Sequence, residues 1–308
     1  MELIRYYYTA YGLTIGSEII LLPLQEIAPK SVDLVIKRGQ LLNPPYWQST
    51  KIYRAGLQAR FAQNGPDQFW LDWSPMMSFM ARQGNELVLD TEQIDVDLIS
   101  LFTLSEAIGL ILFQKGYFLL HGSAIQVNNE GVVFLGEPGA GKSTTVAAFA
   151  QKGVSVINDD MVCILISEAG QPFLIPSFPQ IKIWGNSVAG LQVSTEHLGH
   201  VREGVDKFSW QQPGSFAQQA VPLKQIFVLT PPQRTESTYS QLPKNQVPVE
   251  LLRYFPLADG LLYGQALKTY FEQSVVLANT APVVRMSRPV DFVSLYAFVD
   301  RLKNESIP

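Results

Sequence analysis

The stretch that decides the reading runs from His121 to Asp160: HGSAIQVNNEGVVFLGEPGAGKSTTVAAFAQKGVSVINDD. Its centre, GEPGAGKS from Gly136 to Ser143, has the spacing G-x-x-x-x-G-K-[ST] of a loop that cradles phosphate. Glycines let such a backbone wrap until several N–H groups point inward, and a helix starting there adds a partial positive charge. Lys142 is placed to reach the outer phosphates of a nucleotide, and the Ser143 hydroxyl to ligate Mg²⁺. Gly136, Gly139, Ala140, Gly141, Lys142, Ser143 and Thr144 form the expected ATP-binding set. Glu137 and Pro138 occupy variable positions of the pattern and receive no role.

A glycine turn before an ordinary helix produces the same letters by chance, so the flanks decide. YFLLHGSAIQV and GVVFLG read as two strands joined by the tight turn NNEG. KSTTVAAFAQKG reads as a helix with Val146, Phe149 and Ala150 on one face and Gly153 as its stop. Strand, loop and helix thus follow in the order a phosphate loop requires. No N-K-x-D segment of guanine-specific switches follows, and no L-S-G-G-Q segment of transporter ATPases.

VSVI is a short strand that ends at Asp159-Asp160. Phosphoryl transfer needs charge neutralisation, alignment and a group that takes the proton of the acceptor hydroxyl, and a carboxylate can do the last. Successive side chains on a strand point to opposite faces, so the two acids share one role only if the strand ends between them. The expected division makes one acid the base and gives the other Mg²⁺, directly or through water. Asp159 is the favoured base and Asp160 joins Ser143 on the metal side, with the reverse left open. Acidic pairs at strand ends also serve simply as turn residues.

His121 precedes the loop on a strand that can bring it to the acid pair, where a carboxylate fixes an imidazole. Arg202 and Lys207, in GHVREGVDKFSW, are candidates for a basic group that closes over the transferring phosphate. His197 and His200 lie three apart without a cysteine or acidic partner at suitable spacing, so no metal site is expected there. Arg285 and Arg288, in or beside a late strand, read as structural.

The quoted stretch resembles the catalytic core of the HPr serine kinase/phosphorylase family. In that family a histidine opens the strand before the loop and an Asp-Asp pair follows the helix. PSFPQIKIW, VPLKQIFVL and the opening YTAYGLTIGSEIILLPL resemble HPr-kinase-related proteins of bacterial peptide-biosynthesis clusters. The resemblance implies an α/β fold: a P-loop kinase core of the HPr kinase C-terminal type behind a small β-rich N-terminal domain. It implies catalytic roles for Asp159, Asp160, His121 and Lys207, ATP and Mg²⁺ as cofactors, and often an oligomer. Thr144 stands where the regulatory kinases usually have Glu, and their later arginine-glycine segment has no counterpart. HPr as acceptor and a reverse phosphorylase reaction are therefore not implied.

The 308 residues, 47% hydrophobic and 16% charged, suit two globular domains. Residues 1–100 carry short apolar and aromatic runs broken by Gly, Pro, Asn and Asp. They read as a β-rich domain for substrate recognition or assembly, with Trp47, Trp70 and Trp73 either lining a groove or filling a core. From Leu101 the period becomes helical, and 101–308 reads as the catalytic domain, with 186–220 as a polar, aperiodic loop over a site. VPVELLRYF, LLYGQALKTYFEQSVVLAN and DFVSLYAFVDRLKN are expected helices, the last capped by Asp291.

A net charge of −4 gives no reason to expect nucleic acid or an acidic membrane. One cysteine, Cys163, and no secretory pattern point to a cytoplasmic protein. The apolar run 100–120 carries Glu106 and Lys115, which suits it poorly to a membrane. The expected function is an ATP-dependent kinase acting on a serine of a protein or ribosomally made peptide. A small-molecule hydroxyl kinase and a nucleotide sensor or assembly module without transfer are the competing readings.

Overall fold

In the computed structural model the described residues are 4–201, 206–211, 216–231 and 238–304. They form a mixed α/β protein with a β-rich N-terminal region. The chain divides into two compact units, Met1–Leu119 with Phe255–Tyr270, and Leu120–Tyr254 with Phe271–Pro308.

The first unit holds β1 (Tyr6–Ala10), β2 (Leu13–Ser17), β3 (Leu34–Arg38), β4 (Gln48–Arg54), β5 (Leu57–Asn64), β6 (Gln68–Trp73), β7 (Met77–Arg82) and β8 (Glu86–Asp90). They lie in the order β1-β2-β3-β8-β7-β6-β5-β4. Two of its hairpins turn on two residues, Tyr11-Gly12 and Ala55-Gly56, all at positive φ. That geometry matches the twist of the flanking strands, and glycine fills its second position without strain.

After β8, Asp95 caps α1 (Val96–Phe102) by accepting from the amides of Asp97 and Leu98. A π-helical turn, Thr103–Ala107, leads into α2 (Ile108–Gln114). Phe102 meets the edge of Trp73 at 5.0 Å, and Phe113 lies 6.2 Å from Phe69. The helical run therefore belongs to the N-terminal unit, and the division falls at Leu119, not near residue 100. The apolar stripe was legible, but periodicity does not say which sheet it covers. Phe255 and Tyr270 return to the same unit, at 5.7 Å from Phe113 and 4.2 Å from Phe118 respectively. Val96–Gln114 is long and apolar enough to cross a membrane by length and composition alone, and 67% of its apolar window is buried. Of the three tryptophans of this unit, Trp70 and Trp73 fill cores and Trp47 is half-buried beside one. Trp73 is fully enclosed, and Trp70 sits with Ala62, Met80 and Val88 under Leu41 and Trp47.

The second unit is built on β9 (Phe118–Val127) and β10 (Glu130–Gly136), joined by Asn128-Asn129, both at positive φ. Next come α3 (Lys142–Gln151), β11 (Ser155–Asn158), β12 (Met161–Ile166), β13 (Pro172–Ile175) and β14 (Ile181–Trp184). They are followed by α4 (Gly185–Leu191), β15 (Leu198–His200), β16 (Lys207–Trp210), β17 (Val221–Thr230) and β18 (Thr238–Gln241). The unit closes with α5 (Val247–Leu252), the part of α6 (Gly264–Thr280) from Phe271 onward, β19 (Val283–Ser287) and α7 (Phe292–Asn304). The main sheet runs β10-β9-β12-β13-β17-β19-β18, with β10 also paired to β17 and β11 to β9. Because β10, β17 and β19 are mutually parallel neighbours, their C-terminal ends open on one edge, where ligands of such sheets bind. Phe134 bridges the layers, 5.9 Å from Phe149 of α3 and 5.7 Å from Phe227 of β17.

The described residues between 186 and 220 are not the unstructured loop that their polarity suggested. The described part holds α4, β15 and β16, and β14-β16-β15 form a small sheet. Strands of three or four residues are too short to show a period in the sequence. Asp291 does cap α7, accepting from the Ser294 amide at 2.8 Å.

Phe102→Ala removes a fully buried ring from the first unit and should cost roughly 3–5 kcal/mol in urea unfolding followed by tryptophan fluorescence. Leu42→Ala, at a side chain 88% exposed, should stay within about 0.5 kcal/mol of the parent.

Candidate functional site

The loop leaves the end of β10 at Gly136, where a Cβ would come 2.8 Å from the Leu229 carbonyl and 2.9 Å from the Ala140 methyl. Gly139 and Gly141 take φ of 86° and 93°, a region that costs other residues strain. Gly141 then opens α3, so free amides of the first turn face the loop. Lys142 curls back and its Nζ donates to the carbonyls of Gly136 at 2.7 Å and Glu137 at 3.5 Å. Burial pulls the Lys142 ammonium below its usual range, opposed by Asp160, Asp159 and Glu137 and assisted by Lys207. Thr144 shares a 2.8 Å hydrogen bond with Ser187, which ties the helix to α4.

Between β11 and β12 the two acids occupy a turn, so the strand ends where alternation would otherwise separate them. Asp159 is buried and satisfied three times over. Its Oδ1 accepts from Ser123 Oγ at 2.6 Å and Ser143 Oγ at 3.1 Å, and its Oδ2 from the Lys182 amide at 2.7 Å. Asp160 sits at φ 71°, a left-handed conformation that aspartate tolerates better than most residues. Its Oδ2 accepts from Lys182 Nζ at 2.9 Å, and its Oδ1 lies 3.8 Å from His121 Nδ1.

Burial pushes the His121 imidazole below the usual histidine range, against the pull of Asp160 and Asp159 and with the help of Lys142. The side chain is still 40% exposed, so solvent screens part of that effect. Its backbone amide donates to the Tyr254 carbonyl at 2.6 Å. Lys207 begins β16 with its Nζ 5.5 Å from the centre of the exposed Trp184 ring, within electrostatic reach of Lys142. His200 is exposed and packs on Phe208 at 4.6 Å. Arg202 lies outside the described residues. No cluster of three or more metal-type ligands occurs among the described residues.

Two contributors escaped the sequence reading. Lys182 holds Asp159 through its backbone and Asp160 through its side chain, and it sits in an apolar strand 22 residues beyond the pair it serves. Ser123 reaches Asp159 from 36 residues upstream. Neither belongs to a local motif, although both lie inside segments that carry the family resemblance, Ser123 in the 121–160 stretch and Lys182 in PSFPQIKIW. Arg285 is bound to Glu250 at 2.9 Å, as a structural arginine should be. Arg288, by contrast, lies against Gly141 of the loop.

No family model matches the chain. The HPr kinase/phosphorylase of Clostridium botulinum strain Eklund 17B / Type B is 34% identical to it over 124 residues, 40% of this chain and 38% of the relative. The HPr kinase/phosphorylase of strain Alaska E43 / Type E3 is 34% identical over 113 residues, 37% of this chain and 35% of the relative. This chain is a distant homologue of HPr kinase/phosphorylase. Its match spans under two fifths of the length of either relative. Among solved structures, the Hpr(Ser) kinase/phosphatase from Coxiella burnetii aligns with 61% of this chain and 99% of its own, at 12% identity. The TM-score of 0.31 is too low to bear on the fold.

The depressed His121 pKa sets a direction. The unfolded chain takes up this proton at a higher pH than the folded one, so the contribution is complete above pH 6.5 and is lost as pH falls below it. His121→Gln should therefore lose less melting temperature than the parent between about pH 7.5 and about pH 5.5, read by calorimetry. An equal loss in both would show that His121 does not titrate in this way.

Proposed function

We propose that this HPr-kinase homologue is an ATP-dependent kinase that transfers the γ-phosphoryl group to a serine hydroxyl of a protein or ribosomally made peptide. The observation that carries the reading is the contact of Ser143 with Asp159, with a second acid, Asp160, one residue away at the mouth of the glycine loop. The loop amides, the N-terminus of α3 and Lys142 suit a nucleotide's phosphates. Two hard oxygen donors, Ser143 Oγ and Asp159 Oδ1, lie 3.1 Å apart and suit Mg²⁺. When bound, Mg²⁺ supplies charge neutralisation and orients the phosphates.

The geometry supports the reverse of the division first favoured from the sequence. Asp159, beside Ser143 and enclosed by donors, serves the metal side. Asp160, with a side chain 30% exposed, is the base. Its carboxylate takes the proton of the serine hydroxyl as that oxygen bonds to the γ-phosphorus and the bond to the β-phosphate oxygen breaks, leaving ADP. His121 and Lys182 hold Asp160 in place, and Lys207 adds positive charge on the phosphate side. The acceptor class rests on the resemblance to peptide-cluster kinases.

Purified protein incubated with γ-labelled ATP, Mg²⁺ and host extract should place acid-stable label on a peptide or protein. Asp160→Asn should reduce that transfer by about 10²–10⁴-fold. Label confined to dialysable material would make the acceptor a small molecule. No transfer at all, with ATP still bound, would favour a sensor.

A further inference from the structure

The late arginine that the sequence marks as structural sits in an unusual place. Arg288 follows β19 at the end of the sheet where the loop after β10 also emerges. Its side chain is packed over Gly141. A Cβ on that glycine would lie 2.1 Å from Arg288 Nε and 2.9 Å from Nη2, so only glycine leaves the guanidinium room.

Arg288 is 8% exposed, and a cation so buried normally has an anionic partner. Among the described residues it has one hydrogen bond, from Nη1 to the carbonyl of the adjacent Pro289 at 2.8 Å. Its Nε is buried without an acceptor, and Nη2 has none among the described residues. The ten-residue helix α3 starts one residue beyond the glycine it covers. An arginine's planar fork presents several donors in fixed geometry and suits phosphate oxygens. An under-satisfied buried guanidinium therefore meets a helix N-terminus, and both lack negative charge.

We infer that Arg288 is a nucleotide-binding residue, a second cation beside Lys142 that holds polyphosphate oxygens at the Gly141 side of the loop. The inference rests on the phosphate-loop reading. Arg288 is thereby a binding group and not a base or acid. It recognises the anion and not the acceptor, so its loss raises the nucleotide dissociation constant with little change in the maximal rate of transfer.

The test is equilibrium binding of Mg-ATP, Mg-ADP and inorganic tripolyphosphate to the full chain, by calorimetry, for the parent, Arg288→Gln, Arg288→Lys and Lys142→Met. Melting temperatures without ligand report folding. Arg288→Gln should weaken all three ligands by about tenfold or more, equivalent to about 1.4 kcal/mol, with Arg288→Lys between it and the parent. Unchanged affinities in Arg288→Gln, beside a loss in Lys142→Met, would overturn the role of Arg288 and leave the loop reading intact. A parent that binds none of the ligands would overturn both. If Arg288→Gln melts early, Arg288→Lys decides: a folded lysine variant with parental affinity for tripolyphosphate and ATP contradicts the fork contact. Weakening of ATP and ADP with tripolyphosphate unchanged would also contradict the inference, because the contact would then be to the nucleoside.

Discussion

One carboxylate organises the second unit. Asp159 accepts from a serine on β9, a serine in the first turn of α3 and a backbone amide of β14. The strand before the loop, the helix after it and the small three-stranded sheet are thereby tied to one side chain. A buried charge needs its partners, and leaving one donor site unmet costs about 1–3 kcal/mol. Displacing the start of α3 or of β14 breaks one of these bonds, so the loop's position is coupled to the turn that carries both acids.

The turn's shape follows. With Asp159 drawn inward by three donors, the next residue must reverse the chain before β12, and Asp160 does so in the left-handed region. Its side chain then faces His121 and Lys182 instead of the core. Two chemically identical neighbours thus acquire different surroundings, one enclosed beside a hydroxyl and one open beside a histidine and a lysine. Lys182 serves both acids, which makes β14 part of the site and not only a wall for α3. On the far side of the loop, Arg288 fills the space that Gly141 leaves and keeps a cation against the start of the helix.

What was legible in the sequence was what is local. The glycine spacing, the Asn128-Asn129 hairpin and the Asp291 cap are each written within a few residues, and each constrains backbone directly. The acid pair could be found by position, but the different surroundings of its two members could not. Those depend on Ser123 and Lys182, brought in from 36 and 22 residues away by the sheet. The helical run from Leu101 could be read as amphipathic, whereas its partner, the N-terminal sheet with Trp73, is a tertiary fact. Arg288 looked structural because a charge beside a strand usually is. Its lack of an anion becomes visible only when Gly141 is seen beneath it.

The central claim is that Asp159 serves the metal side of a nucleotide site while Asp160 is left for chemistry. The most direct measurement is ATP affinity with and without Mg²⁺ for Asp159→Asn and Asp160→Asn. The account predicts that Asp159→Asn abolishes the gain in affinity from Mg²⁺ and that Asp160→Asn retains it. A retained Mg²⁺ effect in Asp159→Asn, with loss in Asp160→Asn, would contradict it.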